Sequence, residues 1–348
     1  MRHGSQAKEQ VLGTIAFYRN LFLEVCSMEW PDVLREAAEY IPHLTELCPE
    51  YLEEIQGIGL AIQDNDSWIT WLDVLAVNVR TEIMFGLFTD RKKDDIPLDG
   101  CTSLGWKGAD GGDSFLAQNW DWYPAQAKNL IVVQVAPGEA GQPGFSMVTE
   151  AGLIGKIGMN NAGVGCCFNA IKARGIDRTK LPLHFALRVV LDSPSMEAAI
   201  EKLERIGVAG SGHILVGDRT GSTGLECTSR GIKRLRMDGA GRVVHTNHLL
   251  LDHPGVDEPP WLKDSPVRVA RMNQLLAAAK NDSPTYEEIF DMFKDEEGYP
   301  GSINRTAEGA AGAGTLFNII MDLTHRKAWV KFGKTTDRTG PSIIMGED

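Results

Sequence analysis

The sequence predicts an α+β layered fold, on two observations. Apolar residues recur at helical spacing through the first ninety positions, and after Cys101 the pattern changes to short β-forming runs separated by Gly- and Asp-containing turns. Strands and helices come in separate groups rather than in strict alternation, which is the pattern of helices layered on antiparallel sheets.

Each element follows from its own stretch. Residues 5–90 read as helices, with the clearest apolar periodicity in 30–62 and 68–88. Arg91-Lys92-Lys93-Asp94-Asp95 reads as a solvated linker. An antiparallel meander is expected next, with strands at 101–106, 114–120, 130–136, 145–150, 154–159 and 163–169 and a turn at 108–112. Helices are expected at 183–191 and 195–206, strands at 214–218, 225–229 and 242–247, helices again at 267–279 and 286–294, and closing strands at 315–322 and 328–332. The chain divides into a helical segment, 1–100, and a second unit, 101–348.

Composition excludes several classes. A formal charge of −12, from 35 Lys+Arg against 47 Asp+Glu, disfavours nucleic acid and anionic membrane as partners. The six cysteines show no CxxC pair and no zinc-type spacing, and the first ten residues contain no apolar stretch of the kind a secretory signal needs. An intracellular, cytoplasmic protein is expected, without a metal or other cofactor; the C-terminal Ile-Met-Gly-Glu-Asp is not a peroxisomal address.

Asp99-Gly100-Cys101 carries the chemistry. Glycine leaves the carbonyl before Cys101 sterically open, so the thiol can attack its own upstream peptide bond. The α-amine released would have a pKa of about 7.7–8.0, close enough to neutrality to take a thiol proton without a histidine. The fragments would contain 100 and 248 residues (348 − 100) and stay associated through the apolar faces of the N-terminal helices. Two other readings stand beside this one: a papain-like Cys101/His245 pair, and a folded binding protein that is never cut. His245 and His248 lack a third ligand and do not make a metal site.

Several ordered motifs surround that tripeptide: Gln-Asn-Trp-Asp at 118–121, Thr-Glu-Ala-Gly-Leu-Ile-Gly-Lys-Ile-Gly at 149–158, Asn-Ala-Gly-Val at 161–164, His-Thr-Asn-His at 245–248, Ser-Ile-Asn-Arg at 302–305 and Thr-Leu-Phe-Asn-Ile-Ile at 315–320. With them the chain resembles the isopenicillin N acyltransferase family of self-processing N-terminal-nucleophile (Ntn) enzymes, and more distantly bile salt hydrolases and acid ceramidase. The resemblance implies a four-layer αββα sandwich and a cysteine amidohydrolase or acyltransferase, made as a zymogen and acting in secondary metabolism on a small amide or an acyl donor such as acyl-CoA.

It also implies roles. Cys101 is the nucleophile; Asp121 holds the new α-ammonium; Asn247 donates to the oxyanion; Arg305 lies beside the thiol. Asn169, at a strand end, is expected to bring its own or a neighbouring N–H to the same hole, and Gln118 stands in the pocket where the more distant relatives carry arginine. Two departures matter. Ala310-Ala311-Gly312-Ala313-Gly314 replaces the stretch in which the penicillin-forming enzyme has a carboxylate-binding arginine, so penicillin is a doubtful substrate. His3-Gly4 opens the chain where the family pattern has a preceding strand, so an outer strand is expected to be missing.

Overall fold

The computed structural model describes residues 2–63, 69–87, 100–138, 141–279, 283–308 and 312–346. The charged stretch 91–95, Asp99 and Ala310-Ala311 lie outside the described residues. The N-terminal segment is helical as its periodicity predicts: α1 (Arg2–Gln6), α2 (Lys8–Cys26), α3 (Trp30–Ala38), α4 (Ile41–Leu47), α5 (Pro49–Ile62) and α6 (Trp71–Asn78), followed by a wide helical turn at Glu82–Leu87. Local chemistry sets the boundaries. Prolines 31, 42 and 49 sit in the first turns of α3, α4 and α5, where a missing N–H costs nothing. Thr70 and Asp73 form a reciprocal cap on α6. Asp73 also accepts from Trp30 Nε1 at 2.8 Å and so ties α3 to α6.

The second unit contains β1 (Thr102–Lys107), β2 (Ser114–Trp122), β3 (Leu130–Val135), β4 (Phe145–Glu150), β5 (Ile157–Asn160), β6 (Gly165–Ala170), α7 (Leu183–Leu191), α8 (Met196–Ile206), β7 (Gly212–Asp218), β8 (Gly221–Thr228), β9 (Gly231–Arg236), β10 (Arg242–His245), α9 (Ser265–Ala277), α10 (Tyr286–Met292), β11 (Gly314–Asp322), β12 (Lys327–Phe332) and β13 (Ser342–Gly346). Two antiparallel sheets result, ordered β10-β1-β2-β11-β12-β13 and β3-β4-β5-β6-β7-β8-β9. Strands β1 and β2 face β6, β7 and β8, while α7 and α8 cover the outer face of one sheet and α9 and α10 that of the other. The layers are αββα.

The expected meander is corrected in one respect. Its first two strands form a hairpin in one sheet and its remaining four belong to the other, because the 3-10 turn at Pro124–Asn129 carries the chain from β2 to β3 in the facing layer. The fifth strand begins at 157 rather than 154, since 151–156 is a turn in which Gly152 takes a φ of 98°. Two strands were not expected. β9 alternates poorly, with three basic residues in six, and β13 is an edge strand with Ile343 and Ile344 exposed.

Period-2 alternation decides what each face of β1 and β2 meets. Leu104, Trp106, Phe115 and Ala117 turn to α9 and α10, where they join Met272, Leu276, Ile289 and Phe293 in a core of their own. Leu116 and Trp120 turn inward to the main core. Glycine 105 lets the sheets approach, because a Cβ there would lie 2.2 Å from Ser222 Oγ on β8.

Glu82 ties the N-terminal helices to α7 by accepting from Leu183 N, its first residue, at 2.6 Å. Burial raises its carboxyl from 4.5 to about 7, against the lowering effect of that hydrogen bond. A raised carboxyl favours the fold while protonated, so this contribution is complete below pH 4.5 and is lost as pH rises through 7. Glu82→Gln, which keeps the acceptor but cannot ionise, is expected to gain about 3 kcal/mol relative to wild type between pH 4.5 and 8. Urea unfolding of both proteins across that range reads the difference, and a constant gap would reject the assignment.

Candidate active site

Cys101 is fully buried immediately before β1. Its Sγ lies against the main chain of Asp121 on the paired strand β2, 3.4 Å from Asp121 N, which donates to it, and 3.8 Å from Asp121 O. The carbonyl of Cys101 accepts from Arg268 Nη1 at 2.6 Å, and the same nitrogen reaches Thr102 Oγ1 at 3.1 Å. Gly100 presses on Arg305: a Cβ at position 100 would lie 2.6 Å from Arg305 Cδ and 2.8 Å from Nε and Nη1. Glycine is thus required here by close approach, not by a positive φ.

Asp264 binds the two arginines together. Its Oδ2 accepts from Arg268 Nε at 2.8 Å and Arg305 Nη1 at 2.6 Å. Burial alone would raise its carboxyl; the two guanidiniums reverse that and hold it below the usual aspartate range. Asp121 Oδ1 accepts from Thr315 Oγ1 at 2.7 Å, and Thr315 Oγ1 in turn accepts from Arg305 N at 3.0 Å.

Asn247, just beyond β10, donates from Nδ2 to Ala170 O at 3.0 Å and accepts at Oδ1 from Arg268 Nη2 at 2.9 Å. Asn169 accepts at Oδ1 from Ser103 Oγ at 2.7 Å and His213 Nδ1 at 3.0 Å, and its Nδ2 is buried without a partner among the described residues. Gly100, Cys101, Asp121, Asn247 and Arg305 therefore meet in one cluster, with Asn169 one strand residue away on β6.

Gln118 is placed differently. Its Nε2 donates to Phe168 O at 2.5 Å and its Oε1 accepts from Phe168 N at 2.9 Å. Both ends of the amide are spent on the main chain of β6, so Gln118 staples one sheet to the other rather than presenting a group to a substrate. His245 does not pair with Cys101 either: Nε2 meets Glu226 Oε1 and Nδ1 meets Thr246 O, each at 2.9 Å. His248 Nδ1 lies 2.7 Å from Ser265 Oγ.

A small cavity of about 20 Å³ lies beside this cluster, lined by Trp120, Trp122, Phe168 and Ala170, whose carbonyl accepts from Asn247, and by Tyr18, Arg80, Met84 and Phe85 of the N-terminal segment. Lys156 lies along its wall, with Nζ 3.1 Å from Glu150 Oε2 and 4.5 Å from the Trp120 ring centre. Burial lowers its ammonium, with Glu150 and the thiol of Cys101 acting in the opposite sense. Glu150 also accepts from Arg80 Nη2 at 2.6 Å and from Tyr18 OH. The loop of motif 149–158 makes this possible: a Cβ at Gly155 would lie 2.2 Å from His184 O, so the turn between Glu150 and Lys156 can lie flat on α7. A larger hollow of about 400 Å³ between the ends of β3–β4 and β12–β13 shares no residue with the cluster.

Arg268 and Asp264 escaped sequence reasoning. They are an i,i+4 pair at the start of a helix, a spacing that reads as ordinary surface pairing. Lys156 lies within the 149–158 motif, yet nothing local marks it as a neighbour of Cys101.

The four-layer sandwich is the fold of the N-terminal-nucleophile hydrolases. A variant of conjugated bile acid hydrolase from Clostridium perfringens has the same fold, with a TM-score of 0.50 at 16% identity over 71% of this chain and 96% of its own. Residues 106–337 match the family profile of acyl-coenzyme A:6-aminopenicillanic acid acyl-transferase. The chain is also 37% identical over 338 residues, 95% of its length, to the 40 kDa form of acyl-coenzyme A:6-aminopenicillanic-acid-acyltransferase of Emericella nidulans, of which the match covers 88%. The protein belongs to that acyltransferase family.

The staple at Gln118 is testable on its own. Gln118→Leu leaves the N–H and C=O of Phe168 buried and unpaired, at about 1–3 kcal/mol for each group. A matching fall in the urea midpoint is expected; an unchanged midpoint would mean that the staple carries no stability.

Proposed function

We propose that the protein is a self-processing cysteine amidase or acyltransferase that transfers the acyl group of a small amide or an acyl thioester through Cys101. The observation that carries the reading is the setting of the Gly100–Cys101 bond, with Arg305 against Gly100 and Arg268 on the Cys101 carbonyl. In self-cleavage the sulfur adds to the Gly100 carbonyl, the C–N bond to Cys101 breaks, and its nitrogen takes the thiol proton. Water then hydrolyses the thioester to a Gly100 carboxylate and restores the thiol.

In turnover the free α-amine, held by Asp121, takes the proton of Sγ as the sulfur attacks the substrate carbonyl. Charge developing on oxygen is met by Asn247 and Asn169. The amine returns the proton to the leaving group, and water or an acceptor amine resolves the thioester. Four other buried thiols are poor competitors, since burial pushes Cys48 and Cys166 up to about 12 and Cys167 and Cys227 also upward.

The named activity of the Emericella relative supports an acyl-CoA donor. On the acceptor side the reading is a neutral amine rather than 6-aminopenicillanic acid, because the sequence offers no cation between 306 and 314 to bind a fixed carboxylate. The unit 1–100 is read as the small subunit, kept in place after cleavage by buried contacts such as Arg80 with Glu150, and the cytoplasm as its compartment. Among the described residues no helix is long and apolar enough to cross a membrane.

Wild type is expected to yield fragments of roughly 11 and 27 kDa, the larger beginning at Cys101, that co-elute under native conditions. Cys101→Ala is expected to remain one chain. Denaturing electrophoresis with N-terminal sequencing decides it, and cleavage of the Ala protein at the same bond would sink the autocatalytic reading.

Loss of one oxyanion donor costs on the order of 100- to 1000-fold in turnover. Asn247→Ala, folded and processed, is therefore expected to lose that much kcat on a panel of N-acyl p-nitroanilides while KM changes little. Near-normal turnover would remove Asn247 from the role.

A further inference from the structure

Glu226, at the end of β8, is a fully buried carboxylate with four donors. Its Oε1 accepts from His245 Nε2 at 2.9 Å and Leu250 N at 2.6 Å; its Oε2 accepts from His253 Nε2 at 2.9 Å and Leu251 N at 3.1 Å. All four donors belong to one stretch of nine residues, 245–253, and Asn247 lies inside it. The loop therefore folds around a single carboxylate, gripped at both ends by imidazoles and in the middle by main-chain N–H groups.

A second line runs from the same hub. The ring of His245 stacks on that of His213 at 3.7 Å between centres and 8° between planes, and His213 Nδ1 meets Asn169 Oδ1. Both asparagines assigned to the oxyanion are thus connected to Glu226, one through the loop and one through the stacked rings. Burial alone would raise the Glu226 carboxyl; the hydrogen bond and charge at His245 and the bonds from Leu250 and His253 hold it below the usual range instead, so it stays an acceptor at neutral pH.

We propose that Glu226, with His245 and His253, is the positioning residue of the oxyanion hole, setting the loop so that the Asn247 amide lies where charge develops on the substrate oxygen. It touches no reacting atom. The proposal rests on the reading of Asn247 as an oxyanion donor, and gives His245 of the 245–248 motif and His253 a task that is neither metal binding nor base catalysis.

The test is a double-mutant cycle on the processed enzyme, with Glu226→Gln and Asn247→Ala alone and combined, assayed on the N-acyl p-nitroanilide panel. Glutamine keeps the size but offers one acceptor oxygen and turns two N–H groups toward donors. Glu226→Gln is expected to lower kcat by roughly 10- to 100-fold with KM within about threefold, and to cost less than about threefold in the Asn247→Ala background. Amide hydrogen exchange at Leu250 and Leu251 should quicken in the same variant.

Should Glu226→Gln not fold, the cycle is run with His253→Ala, expected to cost roughly 3- to 10-fold in kcat, with His253→Gln restoring a donor and most of the turnover. Losses that multiply across the cycle, or that fall on KM alone, overturn the positioning role while leaving the oxyanion reading intact. Wild-type turnover in Asn247→Ala overturns the oxyanion reading first, and the positioning role with it.

Discussion

Asp264 is the carboxylate on which the arrangement around Cys101 depends. Among the described residues it alone bridges the two buried guanidiniums that flank the Gly100–Cys101 bond, Arg268 on the carbonyl of Cys101 and Arg305 against Gly100. A buried cation without a partner costs several kcal/mol, so neither arginine could hold this place in an apolar core unaided. Two guanidiniums and the carboxylate of Asp264 thus stand beside the bond, with the carboxylate of Asp121 in the same cluster. In the proposed reaction the two guanidiniums would stabilise negative charge on sulfur or oxygen.

The sandwich sets that cluster at the right depth. Gln118 fastens β2 to β6 through both polar ends of its amide, and Gly105 removes the side chain that would hold β1 away from β8. Ser103 can then reach Asn169 across the gap, and Asn247 can reach Ala170 at the end of the same strand. One inter-sheet spacing therefore fixes the positions of both asparagines relative to Cys101.

A second buried charge cluster joins the units. Glu150 accepts from Lys156 within the second unit and from Tyr18 and Arg80 of the N-terminal segment, and the cavity beside it draws its walls from both. Taking away either cation would leave the other partners underneutralised in a dry interior, which couples the docking of the helices to the shape of the cavity. The N-terminal segment therefore helps to wall the space beside Trp120 and Lys156.

Much of this was legible in the chain itself. Helical periodicity before residue 88 and alternation after 101 report local burial, and both survive folding because burial of one face is what selects each period. Phe145–Glu150 and Leu183–Leu191 coincide with their sequence-based limits. Gly100, Cys101, Asp121, Asn247 and Arg305 were found through motifs, and they converge although 205 residues separate the first from the last (305 − 100).

What the sequence could not supply is set by contacts between distant segments. The sheet to which a strand belongs depends on its partner rather than on its own pattern, so β1–β2 and β3–β6 could not be told apart as members of different layers. Gln118 reads as a pocket residue until Phe168 is seen opposite it. Arg268, Lys156 and Glu226 carry no local signal, because the partner that gives each its meaning lies on another strand or helix.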